Sequence, residues 1–423
     1  MTLRLPGANR RAAHQVFSQG FYPDPEFDFT VRCVLGGTGY GAAEPGEVFA
    51  TIDTAPSGDH QRWFDAWSAT GERARALADA EWAAGRMAAS AGAYLRSATY
   101  FSVAVDAASA LDDDEALHTA FRRHRSSWDG FVEASGPLAE TVAIPYESTA
   151  MPGVFFTPVA APGPRPTLVM VNGSDGAISS MWGLGAAGAL ERGYNALVFD
   201  GPGQQSMLFE QGVGFRPDWE AVLTPVVDFL LARDDVDPDR LAVWGISQGG
   251  FWVPQALAYE KRFAAAVADP GVVDVSTSWN AHIPESLLKK FRAGDRKAFD
   301  RNMAFGMKFS TDSRRTWRFR SRPYGQESYF DTLAEVSRYA LSDSVAAQIS
   351  TPLLITDPEH EQFWPGQSAA LADLAGDATL VPFTASEGAD FHCQPMARKL
   401  CDARVFGWLE TQFGAVTAPS RDG

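Results

Sequence analysis

Six continuously apolar runs, separated by longer segments, constrain the fold of this 423-residue chain more than any other feature. A run that is apolar at every position, rather than at alternate positions, predicts a strand buried on both faces. The intervening segments, such as residues 219–232, have helical periodicity, so the pattern predicts an α/β fold with a mostly parallel, doubly wound sheet. A predicted hairpin over 141–158 precedes the runs, which occupy residues 167–171, 195–199, 241–245, 264–268, 352–356 and 379–383.

The rest of the chain divides around this sheet. Within residues 1–138, the stretch from about 59 to 133 carries apolar side chains at helical spacing, so this region is predicted to be a mainly helical N-terminal domain, and the α/β domain follows over 139–415. Residues 270–350 separate two strands by far more chain than an ordinary connection needs. They predict a cap inserted near the end of the sheet that holds the functional residues, and residues 416–423 are interpreted as a tail.

Charge and cysteine content limit the classes of partner. The formal net charge of −16, from 36 basic and 52 acidic side chains, disfavours nucleic acid and anionic membranes. The cysteines Cys33, Cys393 and Cys401 form no C-x-x-C motif, which argues against a disulfide scaffold or a zinc site. No apolar stretch resembles a signal peptide or a membrane span. We therefore expect a cytoplasmic protein without metal or cofactor that acts on a small molecule.

A G-x-S-x-G motif occupies residues 245–249, between the third apolar run and a helical stretch. In this context the motif forms a nucleophile elbow, a strained turn that lifts the serine above the sheet. Gly245 and Gly249 permit the close approach of strand and helix that the turn requires. The motif predicts Ser247 as a nucleophile and the N–H of Gln248 as an oxyanion donor. The alternative is a glycine-rich turn with an incidental serine.

A nucleophilic serine needs a base and an acid, and in this fold the acid precedes the histidine along the chain. His392 follows the last predicted strand, and an imidazole accepts and returns a proton near neutral pH. The segment after the fifth apolar run offers Glu361, which is favoured because it lies four residues before a proline, and Asp357 at the strand end as the alternative. Asp269, after the preceding strand, is a third candidate.

The loop N-G-S-D-G, residues 172–176, follows the first apolar run, where this fold supplies a second oxyanion N–H. Gly173 permits close approach, and the N–H of Ser174 is the candidate donor. Asp175 is unusual there because a carboxylate opposes the charge of an oxyanion. It either caps the following helix or acts as a substrate-binding group or second acid/base. The motif F-D-G-P-G-Q over 199–204 is interpreted as a structural turn.

These motifs, in this order, resemble those of an α/β-hydrolase family that comprises 2,6-dihydroxypseudooxynicotine hydrolase and the polyketide chain-shortening hydrolases of pigment pathways. The resemblance covers nearly the whole chain and includes Y-L-R-S-A-T-Y (94–100), D-P-E-H-E-Q-F-W-P-G-Q and E-G-A-D-F-H-C-Q. It implies an α/β-hydrolase fold with a helical lid, Ser247 and His392 as nucleophile and base, and an additional acidic group at Asp175. The acid loop departs from the family pattern, so Glu361 and Asp357 both stay open.

The resemblance also implies a hydrolase that acts on a bulky aromatic or polyketide-like small molecule. The bond that it cleaves is a carbon–carbon bond next to a ketone, or an ester bond. The resemblance further makes a homodimer plausible. The alternatives on the same residues are a peptidase or aminoacyl-ester hydrolase and an acyl-transfer or cyclising enzyme of secondary metabolism. A non-catalytic binding protein would not need serine, histidine and acid together. An apolar pocket between lid and sheet is predicted, with Trp182, Trp252, Trp279, Phe363 and Trp364 as its lining.

Overall fold

The computed structural model describes residues 20–111, 113–158 and 163–414, in which helices precede an eight-stranded sheet. The first part of the predicted lid domain, residues 1–19, and the predicted tail 416–423 lie outside these ranges. The chain enters the sheet at Ala139, directly after a short 3-10 helix over Gly136–Leu138. The sequence-based boundary between helical and α/β regions therefore falls where the first strand begins.

The helices that precede the sheet pack around an apolar core of their own. Asp113 begins the last of them by accepting backbone N–H groups of the first turn, as a helix cap does. Gly71 lies against the ring of Phe101 and Gly130 against that of Tyr94, at separations that leave no room for a Cβ, so the three longest helices cross closely. The helices are α1 (Pro25–Gly36), α2 (Pro45–Ile52), α3 (His60–Ala83), α4 (Met87–Ser109) and α5 (Asp114–Ala134).

All six apolar runs form strands of a single sheet, with the order β1-β2-β4-β3-β5-β6-β7-β8. The hairpin β1–β2 is antiparallel and β2 is antiparallel to β4, whereas all other neighbours are parallel. The predicted mostly parallel sheet is therefore confirmed. The strands are β1 (Ala139–Tyr146), β2 (Thr149–Phe156), β3 (Arg165–Val171), β4 (Asn195–Phe199), β5 (Val236–Ile246), β6 (Ala265–Asp269), β7 (Leu353–Pro358) and β8 (Ala378–Phe383).

The inner strands are apolar at every position because the sheet separates two hydrophobic cores. Within β3, Val169 and Val171 belong to one core, while Leu168 and Met170 belong to the other. Successive side chains of a strand point to opposite faces, so both sets are buried. The helices that cover the sheet between β3 and β6 are α6 (Ala187–Glu191), α7 (Gln205–Phe209), α8 (Glu220–Leu231) and α9 (Gly249–Leu257).

The predicted cap is a group of helices between β6 and β7. Asp114 of the lid pairs with two cap arginines, Arg318 at 3.0 Å and Arg322 at 2.7 Å. Each exposed pair contributes only about 0–1 kcal/mol to the contact between cap and lid. The cap helices are α10 (Ser276–Asn280), α11 (Glu285–Arg292), α12 (Arg296–Met307), α13 (Thr311–Ser321), α14 (Tyr329–Val336) and α15 (Asp343–Ala346), and α16 (Gln367–Leu374) and α17 (Arg398–Phe413) then return to the sheet.

Across the described ranges, no helix combines the length and the apolar character that a membrane span requires. The cytoplasmic location and the homodimer stay predictions.

Gly250→Ala tests how tightly the start of α9 packs. A Cβ at Gly250 would lie 1.8 Å from the carbonyl oxygen of Pro270, a backbone atom that cannot move aside like the end of a side chain. We expect the free energy of unfolding to fall by about 3 kcal/mol, the upper end of typical overpacking costs. Urea unfolding measures this, and Gly376→Ala, whose Cβ would meet nothing within 4 Å, is the matched control. Equal stability of the two variants would contradict this packing.

Candidate active site

Ser247 lies in the tight turn between β5 and α9. Its φ is 57°, in the left-handed region that residues other than glycine rarely adopt. Its N–H donates to the carbonyl of Asp269 at 2.6 Å, which ties the turn to the end of the neighbouring β6. The flanking glycines are required by close packing: a Cβ on Gly245 would lie 2.2 Å from the carbonyl oxygen of Gly249, and one on Gly249 would lie 2.8 Å from that of Val171.

His392 connects Ser247 to a carboxylate. Its Nε2 is 2.9 Å from Ser247 Oγ, and its Nδ1 is 2.9 Å from both carboxylate oxygens of Glu361. The side chains of His392 and Glu361 are only 5% and 4% exposed, so this chain of hydrogen bonds is shielded from water. An imidazole held in this way can accept the hydroxyl proton at Nε2 while the carboxylate accepts from Nδ1–H.

Of the candidate acids, Glu361 is the one that the structure places against His392. It lies in the turn after β7, where it also accepts the N–H of Phe363 at 2.9 Å and that of Trp364 at 3.2 Å. Burial raises the pKa of Glu361, but the charge and hydrogen bond of His392 and the two N–H groups outweigh burial and hold the pKa below its ordinary value. Asp357 lies at the end of β7, and burial together with the charge of Glu361 raises its pKa.

A buried ion pair links the serine turn to the histidine loop. Arg398, at the start of α17, lies 3.2 Å from the carboxylate of Asp269 and donates to the carbonyl of Cys393 at 2.7 Å. Asp269 also accepts the hydroxyl of Thr356 at 2.6 Å. The carboxylate of Asp269, the third candidate acid, is therefore engaged in supporting the loop that carries His392.

The predicted oxyanion loop runs directly past the serine. A Cβ on Gly173 would lie 2.7 Å from the Cβ of Ser247. Over the described part of the chain, the N–H groups of Ser174 and Gln248 donate to no protein acceptor, as two oxyanion donors require. The side chain of Gln204 donates to the carbonyl of Gly173 at 3.3 Å, so the F-D-G-P-G-Q turn holds this loop in place.

Asp175 lies in this loop with its side chain accessible to solvent. The prediction that it caps the following helix is wrong, because the helical stretch that follows, Trp182–Ala186, has no side-chain cap. Its side chain is accessible, yet the surrounding protein raises its pKa, whereas the charges of Arg320 and His392 and a hydrogen bond with Ser174 act in the opposite direction. A carboxyl that is accessible to solvent and yet surrounded by protein lines a cavity rather than the open surface.

Two carboxyl groups of the lid open onto the same cavity. Asp106, in α4, is accessible to solvent, yet the surrounding protein removes hydration from its carboxyl group, so it lines a cavity rather than the open surface. Burial raises the pKa of Asp106 well above 3.8, and the charges of Asp175 and Glu26 raise it further. Burial also raises the pKa of Glu26. Neither lid acid is predicted from the sequence, because no local motif marks a helix residue that meets the sheet only after folding.

Three of the five predicted pocket residues lie at or near this centre. The rings of Phe363 and Trp364 lie 4.7 Å and 5.7 Å from that of His392, centroid to centroid. Trp279, in the cap, packs edge-on against Tyr324 at 5.6 Å. Tyr324 in turn approaches the side chain of Gln248, the residue after Ser247.

The other two predicted pocket residues make contacts typical of a core. Trp182 packs against Phe131 at 4.9 Å on the lid side of the sheet. Trp252 stacks on Trp219 at 4.5 Å, and both side chains are fully buried. Residue type and position in the chain could not separate these core tryptophans from those that reach the site.

Comparisons with known proteins agree with this architecture. A model described as the prolyl oligopeptidase family matches residues 218–303. Hydrolase LUC6 from Fusarium sp is 28% identical over 419 residues, which cover 95% of this chain and 98% of LUC6. The 20-hydroxy-prefusarin hydrolase FUS2 from Gibberella moniliformis is 28% identical over 353 residues, 81% of this chain and 83% of FUS2. The crystal structure of 2,6-dihydroxy-pseudo-oxynicotine hydrolase superposes with a TM-score of 0.72 at 20% identity and covers 92% of this chain and 98% of that one, which confirms the predicted fold.

Asp106→Asn tests whether the lid acid is enclosed. Because the folded protein raises the pKa of Asp106 above its ordinary value of 3.8, ionisation costs stability, and that cost grows as the pH rises from 3.8 to the folded-state pKa and is complete above it. Asparagine cannot ionise, so the Tm of the variant should exceed that of the native protein by about 2 °C or more at pH 8 and by less at pH 4.5. Thermal unfolding at both pH values measures the difference. The control is Asp65→Asn on an exposed part of α3, and a difference independent of pH would contradict the enclosure.

Proposed function

Because this chain belongs to the α/β-hydrolase group that includes 2,6-dihydroxypseudooxynicotine hydrolase and its fungal relatives, we propose that it is a serine hydrolase with Ser247 as nucleophile, His392 as base and Glu361 as acid. The observation that carries the proposal is the chain of hydrogen bonds from Ser247 Oγ through His392 to Glu361, with 2.9 Å at each step. Asp357 performs no step in the proposed mechanism.

In the first half of the proposed reaction, His392 Nε2 takes the proton of Ser247 as Oγ attacks the substrate carbonyl. The tetrahedral oxyanion accepts hydrogen bonds from the backbone N–H groups of Gln248 and Ser174. Within the described ranges, these two N–H groups have no protein acceptor. The carboxylate of Glu361 stabilises the imidazolium that forms.

Collapse of the tetrahedral intermediate then expels the leaving group. An alkoxide takes its proton from His392, whereas a leaving carbon takes it from His392 or from Asp175, whose raised pKa suits a proton donor. Water, activated by the same histidine, releases the acyl group from Ser247.

We propose a bulky aromatic or polyketide-like ketone or ester as the substrate. The rings of Phe363 and Trp364 beside His392 offer an apolar wall next to the nucleophile. The relative FUS2 is named as a hydrolase of 20-hydroxy-prefusarin, which supports a secondary metabolite rather than a peptide.

Peptide or aminoacyl-ester hydrolysis is the second candidate, because the prolyl oligopeptidase family model matches residues 218–303, a segment that contains Ser247. Aminoacyl anilides and aryl ketones discriminate the two. Cleavage of the anilides alone would favour the peptidase, and cleavage of the ketones favours the first proposal.

A fluorophosphonate and an activated aryl ester test the three roles. The probe should label the native protein and not Ser247→Ala, because only the serine hydroxyl can attack phosphorus. Glu361→Gln should lower kcat on the ester by about 10⁴-fold, as loss of the corresponding carboxylate does in serine proteases. The matched variant Asp357→Asn should lower it less than about tenfold. A larger loss in Asp357→Asn, or labelling of Ser247→Ala, would overturn these assignments.

Asp175→Asn tests the proton-transfer role. A leaving carbon needs a proton donor more than an aryl oxide does, because the aryl oxide is stable as an anion. We expect kcat for an aryl ketone to fall about 10²-fold, within the range of general acid catalysis, while kcat for the aryl ester changes less than about threefold. Steady-state kinetics on both substrates measure this. Equal kcat values for the variant and the native enzyme on the ketone would exclude the role.

A further inference from the structure

The cap contributes two hydrogen-bond donors to the cavity above Ser247. Arg320 lies in the last turn of α13, and Tyr324 ends the short 3-10 helix over Arg322–Tyr324, four positions later. Positions three or four apart in consecutive helical turns lie on the same side of the segment. Neither residue belongs to a motif, and neither has a role in the steps proposed above.

Tyr324 holds its hydroxyl beside the serine turn. The side chain is 6% exposed and is fixed by edge-on contacts with Phe215 at 5.2 Å and Tyr339 at 5.3 Å. Its oxygen accepts a long hydrogen bond from Gln248 Nε2 at 3.5 Å. Within the described part of the chain the phenol's own hydrogen has no acceptor. Burial and the charge of Asp175 raise the pKa of Tyr324, so the hydroxyl stays protonated and able to donate.

Arg320 brings a positive charge to the same place. Its guanidinium lies 5.7 Å from the ring centroid of Phe363, which itself packs on His392 at 4.7 Å. The charge of Arg320 lowers the pKa of Asp175 and of Glu26, so it reaches both acids. Over residues 20–111, 113–158 and 163–414, however, no carboxylate lies within ion-pair distance of the guanidinium. Its N–H donors are therefore available to a ligand.

The guanidinium group of Arg320 and the phenol hydroxyl of Tyr324 are both hydrogen-bond donors, and together they suit an oxygen that carries negative charge. Such an oxygen arises in the reaction proposed for this site. When the tetrahedral adduct on Ser247 collapses, the acyl-serine carbonyl forms as the carbon–carbon bond breaks, and the electron pair of that bond moves onto the leaving carbon. Where a second carbonyl adjoins this carbon, the pair moves onto that carbonyl oxygen as an enolate.

We propose that Arg320 and Tyr324 receive the enolate oxygen of the leaving group, which makes 1,3-dicarbonyl compounds the substrate class. The inference rests on the proposed function, because it needs Ser247 as the nucleophile. The bond from Ser247 Oγ to the first carbonyl carbon forms as His392 takes the proton. The carbon–carbon bond then breaks, the enolate rests on the cap donors, and a proton from Asp175 or His392 converts it into a ketone. Water releases the acyl group as a carboxylic acid.

The carboxyl groups in the cavity raise the question of a cationic ligand. Glu26, Asp106 and Asp175 all face the cavity, and ionised carboxylates are the groups that would bind a substrate amine. Burial raises the pKa of each of the three, which lowers the charged fraction of these groups at a given pH and weakens their attraction for a cation. Arg320 adds repulsion of any cation. The observations therefore favour an oxyanion, and preferential cleavage of an amine-bearing ester is the competing outcome of the test.

The experiment compares 1-phenylbutane-1,3-dione with phenyl acetate as substrates. Arg320→Gln should lower kcat on the diketone about 10²-fold and Tyr324→Phe about tenfold, as removal of oxyanion donors does. Both variants should keep kcat on phenyl acetate within about threefold, because an aryl oxide can leave without the cap donors. Arg320→Lys, which keeps the charge, should recover part of the loss, and Arg301→Gln, an exposed cap residue, should change neither substrate.

The possible outcomes separate this inference from the proposed function. Equal losses on diketone and ester in Arg320→Gln would mean a structural role and would overturn the inference. Labelling by the fluorophosphonate and ester cleavage without diketone cleavage would overturn it while the serine hydrolase stands, and a preference for an amine-bearing ester would replace it. Failure of both labelling and ester cleavage would remove the proposed function itself.

A spectroscopic measurement does not depend on turnover. The enolate of a 1,3-diketone absorbs at longer wavelength than the enol, which makes its formation visible. Because the two cap donors would stabilise the enolate, the Ser247→Ala variant with bound diketone should show the enolate band at a lower pH than the free diketone does. The double variant Ser247→Ala/Arg320→Gln should lose most of that shift. An unchanged shift in the double variant would contradict a role of Arg320 at the enolate oxygen.

Discussion

The buried pair of Arg398 and Asp269 is the interaction on which the geometry of the site depends. The backbone carbonyl of Asp269 accepts a hydrogen bond from the N–H of Ser247 at 2.6 Å. The side chain of Arg398 donates a hydrogen bond at 2.7 Å to the carbonyl of Cys393, the residue after His392. Serine and histidine, 145 positions apart in the chain, are thereby fixed to the same support. Removing one partner would leave an uncompensated buried charge, which typically costs about 3–5 kcal/mol.

The lid and the cap surround the cavity at this edge of the sheet. In water, a carboxyl beside an oxyanion site would be ionised and would oppose the reaction. The surrounding protein raises the pKa of Asp175, a shift toward the protonated form that the proposed mechanism uses as a proton donor. The helical layers therefore set the chemistry of the acids as well as the shape of the pocket.

The sequence predicts best what is encoded locally. The apolar runs and the G-x-S-x-G turn depend on neighbours in the chain, and the sheet, with Ser247 at the turn after β5, follows the predicted pattern. The structure places Glu361, the preferred acid, against His392 because the turn after β7 supplies two N–H groups that hold the carboxylate. Asp106 and Arg320 escaped prediction because a helix residue acquires a cavity position only when separate layers pack. Trp252 is an error of another kind, since large aromatic residues serve cores and pockets equally well.

This division between local and long-range determinants coincides with a division of chemical tasks. In the proposed mechanism, the residues that local motifs identify, Ser247 and His392 above all, attack and deprotonate, and such steps are the same for an ester, an amide or a ketone. The residues that motifs do not identify belong to the lid and the cap, and the proposed mechanism assigns them to the part of the substrate that leaves. Bond type is decided by how the leaving group is stabilised, because attack on the carbonyl is common to all three. Under the proposed mechanism, selection among bonds therefore acts on Asp175 of the oxyanion loop and on Arg320 of the cap, and a relative can keep the elbow and change its reaction by altering these two positions.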